Sequence, residues 1–440
     1  MKRSKTMQNN ISRRRFLAMM GGAALSLASG CAFRKAPAPV RKAARVLTGD
    51  TSLDARFLRQ IIAADNRTAR TVMWQSDEPQ EIAEVVWRAS GKKETAQDAE
   101  IFSAPAKSSR YTDDGQNVWL HAARLENLAP GASYEYRVIC GDEGTDWTPL
   151  RTEDGGAFKA LIFPDSQSSD YTDWKHLAQD AYKRNPDAAF FTNLGDLVDN
   201  GEEHSQWDAW FDAVEGMAER IPFAPVMGNH ETYDKKWEVR LPLAYLAEFE
   251  PPENGSRDFS RYYYSFDFGD VHFIVLNTQW DETEEFRPGL LDEQLAWLPK
   301  DADASRKKWK VAMLHKDLLQ YRIGNRPERK EGFSKFGEAF MPLFDDLGID
   351  AVLSAHLHTY RNRGHIKDFR RDADGPLYIL TGVAGNVRYP GLWIDHALDE
   401  KVAPQPETDN YLTLEASKDA LRFQCFLPDG TTIDDVTIKK

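Results

Sequence analysis

Five short apolar runs in this 440-residue chain end in side chains that could hold a cation or meet a phosphate. Phe163-Pro164 leads to Asp165-Ser166-Gln167, Asn193-Leu194-Gly195 leads to Asp196, and Val226-Met227-Gly228 leads to Asn229-His230-Glu231. Met313-Leu314 leads to His315, and Leu353-Ser354-Ala355 leads to His356-Leu357-His358. Each alone has an ordinary explanation: an Asp capping a helix, an Asn in a turn, a solvated His. Five in register, each directly after an apolar strand and several beside Gly, Ala or Ser, are not explained one at a time. Carboxylate, amide and imidazole groups gathered in this way are potential metal ligands and phosphate contacts.

The elements that must position these groups follow from hydrophobic period. Phe158 to Phe163, Ala188 to Leu194, Pro222 to Met227, His272 to Leu276, Lys310 to Leu314, Ala351 to Ser354 and Leu377 to Leu380 read as buried strands. Amphipathic helical patterns lie between several of them, as at Asp173 to Lys183 and Leu290 to Leu298. That alternation predicts a layered α/β fold, and open α/β sheets place ligands at the carboxyl ends of their strands. Gly269-Asp270 and Asp429-Gly430 predict hairpins, so the sheets should be mixed. Before this body, residues 46–152 read as a small antiparallel sandwich. Its strand-like runs include Arg70 to Trp74, Ile82 to Trp87, Asn117 to Ala122 and Tyr134 to Cys140. Thr152 to Gly156 reads as the linker, and residues 157–440 as the chemical domain.

The motif blocks resemble those of the calcineurin-like metallophosphoesterases. Gly195-Asp196, Gly228-Asn229-His230-Glu231 and His356-Leu357-His358 match closely, with Ala355 where Gly is usual. The string from Leu125 to Val138 resembles the fibronectin-III-like module that precedes the catalytic domain of purple acid phosphatases. The resemblance implies a four-layer α/β/β/α domain with mixed sheets and a pair of metal ions, of Mn, Fe or Zn type with Mg admissible. It implies Asp196 as the bridge, Asp165 and His358 on the first metal, and Asn229, His315 and His356 on the second. His230 would face the phosphate and protonate the leaving oxygen. Glu231 would either support that imidazole or serve helix-start chemistry. The implied activity is hydrolysis of phosphomonoesters by a metal-bridged hydroxide. Phosphodiesterase activity, or a non-catalytic surface protein with a degenerate site, are the alternatives.

Two positions depart from that pattern. Gln167 stands where the first block usually has His, leaving the first metal held through its amide oxygen, through a water, or weakly. Asp199 stands where purple acid phosphatases supply a Tyr ligand, so their ferric colour should be absent; this Asp reads as a helix cap or a residue behind the ligands. The loops Tyr233 to Arg261 and Lys316 to Arg329 are expected to wall the pocket, with Arg388 and Tyr389 as further substrate contacts. Trp207, Trp210 and Phe211 at helical spacing read as core, and His121, His176, His204, His272, His365 and His396 as surface or core residues.

Composition sets the remaining bounds. Acids outnumber bases by 69 to 56, a net charge of −13. Coating nucleic acid or anionic lipid needs clustered positive charge, so no nucleic-acid platform is expected and the implied partner is a small phosphoester. Three cysteines are too few for a disulfide scaffold. Residues 1–45 carry no acid, and Arg13-Arg14-Arg15-Phe16-Leu17 precedes a short apolar stretch, the layout of a twin-arginine export signal. Ala28-Ser29-Gly30-Cys31 resembles a lipoprotein cleavage box, with an ordinary peptidase cut as the alternative. The expected location is the bacterial periplasm or cell envelope, with membrane contact only through a lipid on Cys31. Cys140 and Cys425 are expected as packed, reduced thiols.

Overall fold

The structure, a computed structural model, describes residues 53–80, 82–91, 100–404 and 409–440 and the backbone of the short strand Arg41–Lys42. The expected export signal and Cys31 lie outside the described residues. No helix among the described residues is long and apolar enough to cross a membrane.

The N-terminal part contains β1 (Arg56–Ile61), β2 (Arg70–Ser76), β3 (Glu84–Ala89), β4 (Phe102–Pro105), β5 (Lys107–Asp113), β6 (Gln116–Leu125), β7 (Ser133–Cys140) and β8 (Thr148–Arg151). There follow β9 (Phe158–Phe163), α1 (Thr172–Arg184), β10 (Ala188–Asn193), α2 (His204–Ala213), β11 (Phe223–Pro225), β12 (Tyr264–Phe268) and β13 (Val271–Val275). The rest supplies α3 (Leu290–Ala304), β14 (Trp309–Met313), α4 (Lys335–Leu347), β15 (Ala351–Ser354), β16 (Arg361–Lys367) and β17 (Leu377–Leu380). Three antiparallel strands close the chain: β18 (Tyr411–Ala416), β19 (Ala420–Phe426) and β20 (Thr432–Lys439).

Two mixed sheets form the middle of the molecule. The first has the order β20-β19-β18-β9-β10-β11-β1-β2-β6-β5, with β9, β10, β11 and β1 parallel. The second runs β12-β13-β14-β15-β17-β16, with β13, β14, β15 and β17 parallel. Successive side chains of a strand point to opposite faces, so strands covered on both sides must be apolar throughout. Ala160, Ile162 and Phe190 of the first sheet meet Phe266, Phe273, Val311 and Leu353 of the second in one core. Phe190 packs against Phe266, Phe268 and Phe273 with centroid distances of 5.6, 5.0 and 5.3 Å. The alternate residues Leu161, Phe163, Phe191, Ile274, Ala312 and Val352 face outward and join Trp174 of α1, Trp210 of α2, Leu298 of α3 and Phe340 of α4. The result is the expected α/β/β/α layering.

The N-terminal sandwich is less separate than its sequence suggests. Val85, Trp87, Tyr136 and Val138 pack on Val72, Trp74, Ala123 and Leu125, as a sandwich requires. Yet β2 and β6 belong to the same ten-stranded sheet as β9 to β11, because β1 pairs with β11 through Ile61 and Phe223. Arg56 and Arg59 hide β1 from a hydrophobic reading, although Arg59 is buried and donates to Glu248 at 2.7 Å. The linker is tied down as well: Glu153 is buried and accepts N–H groups from Gly155 at 2.7 Å and Gly269 at 2.8 Å. The strand expected from Ile82 begins at Glu84, with Ile82 exposed. The Gly269-Asp270 and Asp429-Gly430 hairpins form, and Cys140 and Cys425 are free thiols in β7 and β19.

Candidate metal centre

All six expected ligand side chains follow the C-terminal ends of parallel strands. Asp165 follows β9, Asp196 follows β10, Asn229 follows β11, His315 follows β14, and His356 and His358 follow β15. The turns are tight. Gly195 sits at φ +96°, and a Cβ there would fall 2.6 Å from His315 Nδ1. A Cβ on Gly228 would fall 2.2 Å from both the N and Oδ1 of Asp196. Asp196, His356 and His358 themselves hold φ of 50°, 79° and 54°, conformations that non-glycine residues keep only where the surroundings dictate them.

These tips bring two groups of donors together around one shared carboxylate. Asp196, His315 and His356 form one, and Asp165, Asp196 and His358 the other, with the ligand atoms of each within 4.8 Å of one another. Asn229 joins the first, its Oδ1 lying 3.1 Å from His315 Nε2. His315 Nδ1 faces the Leu194 carbonyl at 2.8 Å and His358 Nδ1 the Val387 carbonyl at 2.6 Å. As N–H donors at Nδ1, both rings present bare Nε2 atoms to the centre. Asp165 is held by its neighbours: its carboxylate accepts the His356 N–H at 2.9 Å, and its carbonyl accepts those of Ala384 and Gly385.

The charges in this pocket are unbalanced. Burial works against ionised Asp196, but His315 and His230 outweigh it and hold the carboxyl well below its usual range. Burial likewise opposes a charged His315, yet Asp196 at 3.0 Å and Asp165 push its pKa up to about 9. His356 is driven down by burial and by His315, and burial raises Asp165. Two buried carboxylates thus favour positive charge between them. Gln167 Oε1 is also buried without a hydrogen-bond partner. A donor set of carboxylate, imidazole and amide oxygen with a demand for positive charge fits first-row divalent or ferric ions.

The sequence pattern of the calcineurin-like phosphoesterases matches residues 138–360, and that of the purple acid phosphatase N-terminal domain matches residues 58–152. The chain belongs to the calcineurin-like phosphoesterases. It is 25% identical over 352 residues to purple acid phosphatase 23 of Arabidopsis thaliana, covering 70% of this chain and 72% of that one. Purple acid phosphatase 15 of the same plant is 30% identical over 208 residues, 46% of this chain. Acid phosphatase type 7 of Mus musculus is 24% identical over 324 residues, 64% of this chain and 69% of its own length. The chain spans only 36% of the length of purple acid phosphatase 15. Among solved structures, purple acid phosphatase PPD1 from yellow lupin seeds superimposes with a TM-score of 0.73 over 88% of this chain and 74% of its own, at 16% identity. PhoD gives 0.61 over 89% of this chain and 91% of its own, at 13% identity. Both likenesses are likenesses of fold.

The two departures from the pattern of these phosphoesterases meet at one side chain, His230. Its Nε2 lies 3.9 Å from Asp196 Oδ2 and 3.1 Å from Gln167 Nε2, while its Nδ1 faces the Asp199 main-chain carbonyl at 2.7 Å. The Asp199 carboxylate stands 3.6 Å from the same nitrogen. Asp199 therefore backs His230 and caps no helix; α2 begins at His204 behind Glu203. Burial disfavours the imidazolium, but Asp196 and Asp199 raise the His230 pKa above its usual value. Gln167 presents its amide nitrogen to His230, with its oxygen left over.

Of the two roles expected for Glu231, its charge adds to those that raise the His230 pKa, while its hydrogen bonds serve the main chain. Its buried carboxylate accepts main-chain N–H groups from Gly228 at 2.6 Å, Asp196 at 3.0 Å and Leu197 at 2.8 Å. One side chain thus clamps the two loops that carry Asp196 and Asn229. The loop from Tyr233, expected to wall the pocket, brings to His230 two rings that sequence reading did not single out, Tyr233 and Trp237, edge-to-face at 5.5 and 5.7 Å. A lone Trp in the charged run Asp234-Lys235-Lys236-Trp237-Glu238 was the only available signal. Tyr389 stacks beside His358 at 4.9 Å. Trp207, Trp210 and Phe211 are core. His121, His204, His272, His365 and His396 make their contacts outside the centre.

Proposed function

We propose that this chain is a metal-dependent phosphoric ester hydrolase acting on phosphomonoesters. The observation that carries the reading is the pair of buried donor groups sharing Asp196, with His230 3.9 Å from the shared carboxylate. Asp165 and His358 would hold one cation, Asn229, His315 and His356 the other, and Asp196 both; Gln167 would add its free amide oxygen to the first. Such a pair supplies positive charge for the phosphoryl oxygens and lowers the pKa of water from about 15.7 toward about 7. The protein's own part is positional. The Nδ1 of His230, held on the Asp199 carbonyl, aims Nε2 into the cleft, where it can give a proton to the departing alkoxide. The clamp at Glu231 keeps the Asp196 and Asn229 loops in register while that proton moves. The oxygen-rich first group suits Mn or Fe, with Zn at the imidazole-rich one and Mg admissible at the first.

The same reading assigns residues 1–45 to export to the periplasm or cell envelope, with lipid on Cys31 or a plain cut nearby. It assigns 46–152 to a supporting β module and 157–440 to catalysis. The test is elemental analysis of the purified protein with a phosphoester panel, with and without chelator. Close to two metals per chain and chelator-sensitive hydrolysis are expected. Metal-loaded protein that cleaves no phosphoester, or ligand variants that behave like the parent, would overturn the reading.

A further inference from the structure

Trp237 is more than half exposed, at 55%, and sits at φ +65°, a conformation bulky residues rarely adopt. An exposed indole on a left-handed residue is sustained by its surroundings. Asp234 Oδ1 accepts the N–H groups of Lys236 and Glu238, both at 2.8 Å, and the Asp234 carbonyl accepts that of Trp237 at 2.9 Å. The turn so closed is pinned from outside by the tip of the β5–β6 hairpin. Arg240 Nη2 reaches both carboxylate oxygens of Asp113, at 3.0 and 2.9 Å, and Lys235 pairs with Asp114. Lys235 also meets Glu203 at 3.1 Å. Two ion pairs from the N-terminal module thus bracket Trp237 on both sides in sequence. The ring lies 5.7 Å from that of His230 at 89°, with Tyr233 filling the corner 6.0 Å from it.

A group that departs on an oxygen protonated by His230 leaves directly beside this indole. We infer that Trp237 contacts the leaving group and favours phosphoesters whose alcohol carries a planar aromatic ring, aryl or nucleoside. Asp113 and Asp114 act as positioning residues for it. The inference rests on the phosphoesterase reading and narrows its substrate class. Stacking on a flat π-face needs no base-specific hydrogen bonds, which suits a turn that offers a ring and little else.

The test uses the metal-loaded full chain with phenyl phosphate, adenosine 5′-monophosphate and glycerol 3-phosphate. Comparing variant with parent on each substrate cancels differences in leaving-group reactivity. Trp237→Ala should raise KM for the aromatic substrates about fivefold more than for glycerol 3-phosphate, the lower end of what one stacked base contributes. Trp237→Phe should restore most of it, and Asp113→Asn with Asp114→Asn should raise the same KM values while kcat holds. A response to phenyl phosphate alone would place the ring at the ester oxygen; a response to the nucleotide as well would extend the platform to the base. Equal shifts on all three substrates would overturn the inference. If the parent hydrolyses none of them, the phosphoesterase reading falls, and calorimetry still decides on Trp237. Phenylphosphonate must then bind the parent more tightly than methylphosphonate, with Trp237→Ala erasing the difference; no preference would sink the inference.

Discussion

Replacing Glu231 by Gln separates a loop clamp from a support of the His230 imidazole. The carboxylate offers two oxygens: one accepts Gly228 and Asp196 N–H, and the other accepts Leu197 N–H. Glutamine keeps one oxygen and turns an NH2 toward donors that have no other partner. At least one buried N–H is orphaned, and the carboxylate, whose pKa burial and Asp196 push up to about 7, is lost as an acceptor. With hydrogen bonds to charged groups worth about 1.5–3 kcal/mol and an unsatisfied buried group costing about 1–3, the loss should be about 3 kcal/mol. Unfolding entropy near 2.1 cal/mol/K per residue over roughly 400 residues is about 0.8 kcal/mol/K, so Tm should fall by about 4 °C. Scanning calorimetry of metal-free protein gives this directly, and titration of the folded variant with Mn should show weaker binding, because the Asp196 and Asn229 loops lose their common anchor. The pH dependence of kcat should keep its shape, since His230 is held by Asp199. An unchanged Tm with a displaced pH profile would refute the clamp and leave Glu231 as a support of the imidazole.

Asp196 belongs to both donor groups, so Asp196→Asn should bring elemental analysis from near two metals per chain toward none, whereas His356→Ala should leave one. Gly228→Ala drives a Cβ to 2.2 Å from Asp196 and should deplete metal, while Gly324→Ala, with open space around its Cβ, should retain it. His272 lies between Asp267 at 2.7 Å and Asp301 at 2.9 Å; burial opposes its charge, but the two carboxylates push its pKa up to about 9. A folded pKa above the unfolded value of about 6.5 stabilises fully below that pH and is lost as pH rises through about 9, at most about 3 kcal/mol. Urea midpoints taken from pH 6 to 9.5 should show this loss in the parent and not in His272→Gln; parallel curves would count against the triad.

The candidate ligand positions were legible because each sits where physics forces a pattern. A strand buried on both faces is an unbroken apolar run, and the first polar residue after it stands at the sheet's edge. Asp165, Asp196 and His315 announce themselves in that way. What a carboxylate does there was not legible, since Asp199 meets His230, and Glu231 meets Asp196 and Leu197 besides its neighbour Gly228, across more than thirty residues. From sequence, Asp199 stays open between a helix cap and a residue behind the ligands, and Glu231 between support of His230 and helix-start chemistry. Gln167 was legible as a departure, but not as a partner of His230. The strand Arg56–Ile61 was hidden for another reason: Arg59 reads as solvent-facing until Glu248, 189 residues later, supplies its buried partner.

That hidden strand ties the β module to the candidate metal centre without touching it. Through β1 the module's second sheet continues the sheet whose strands carry Asp165, Asp196 and Asn229. Ile61, Met73 and Ala122 pack in the same core as Trp210 and Phe223. Glu248 binds both Arg59 and Gln75, and Gln60 donates to Glu219 and Pro149, so module and body share polar groups that neither could satisfy alone. A swivelling domain would drag the Asp113-Asp114 tip across the turn that carries Trp237 and break both ion pairs. A continuous hydrogen-bonded sheet resists that motion, because bending it would expose the Arg59–Glu248 pair with no compensating partner. The module therefore holds the turn that carries Trp237 in the same frame as the strand tips that carry Asp165, Asp196 and Asn229.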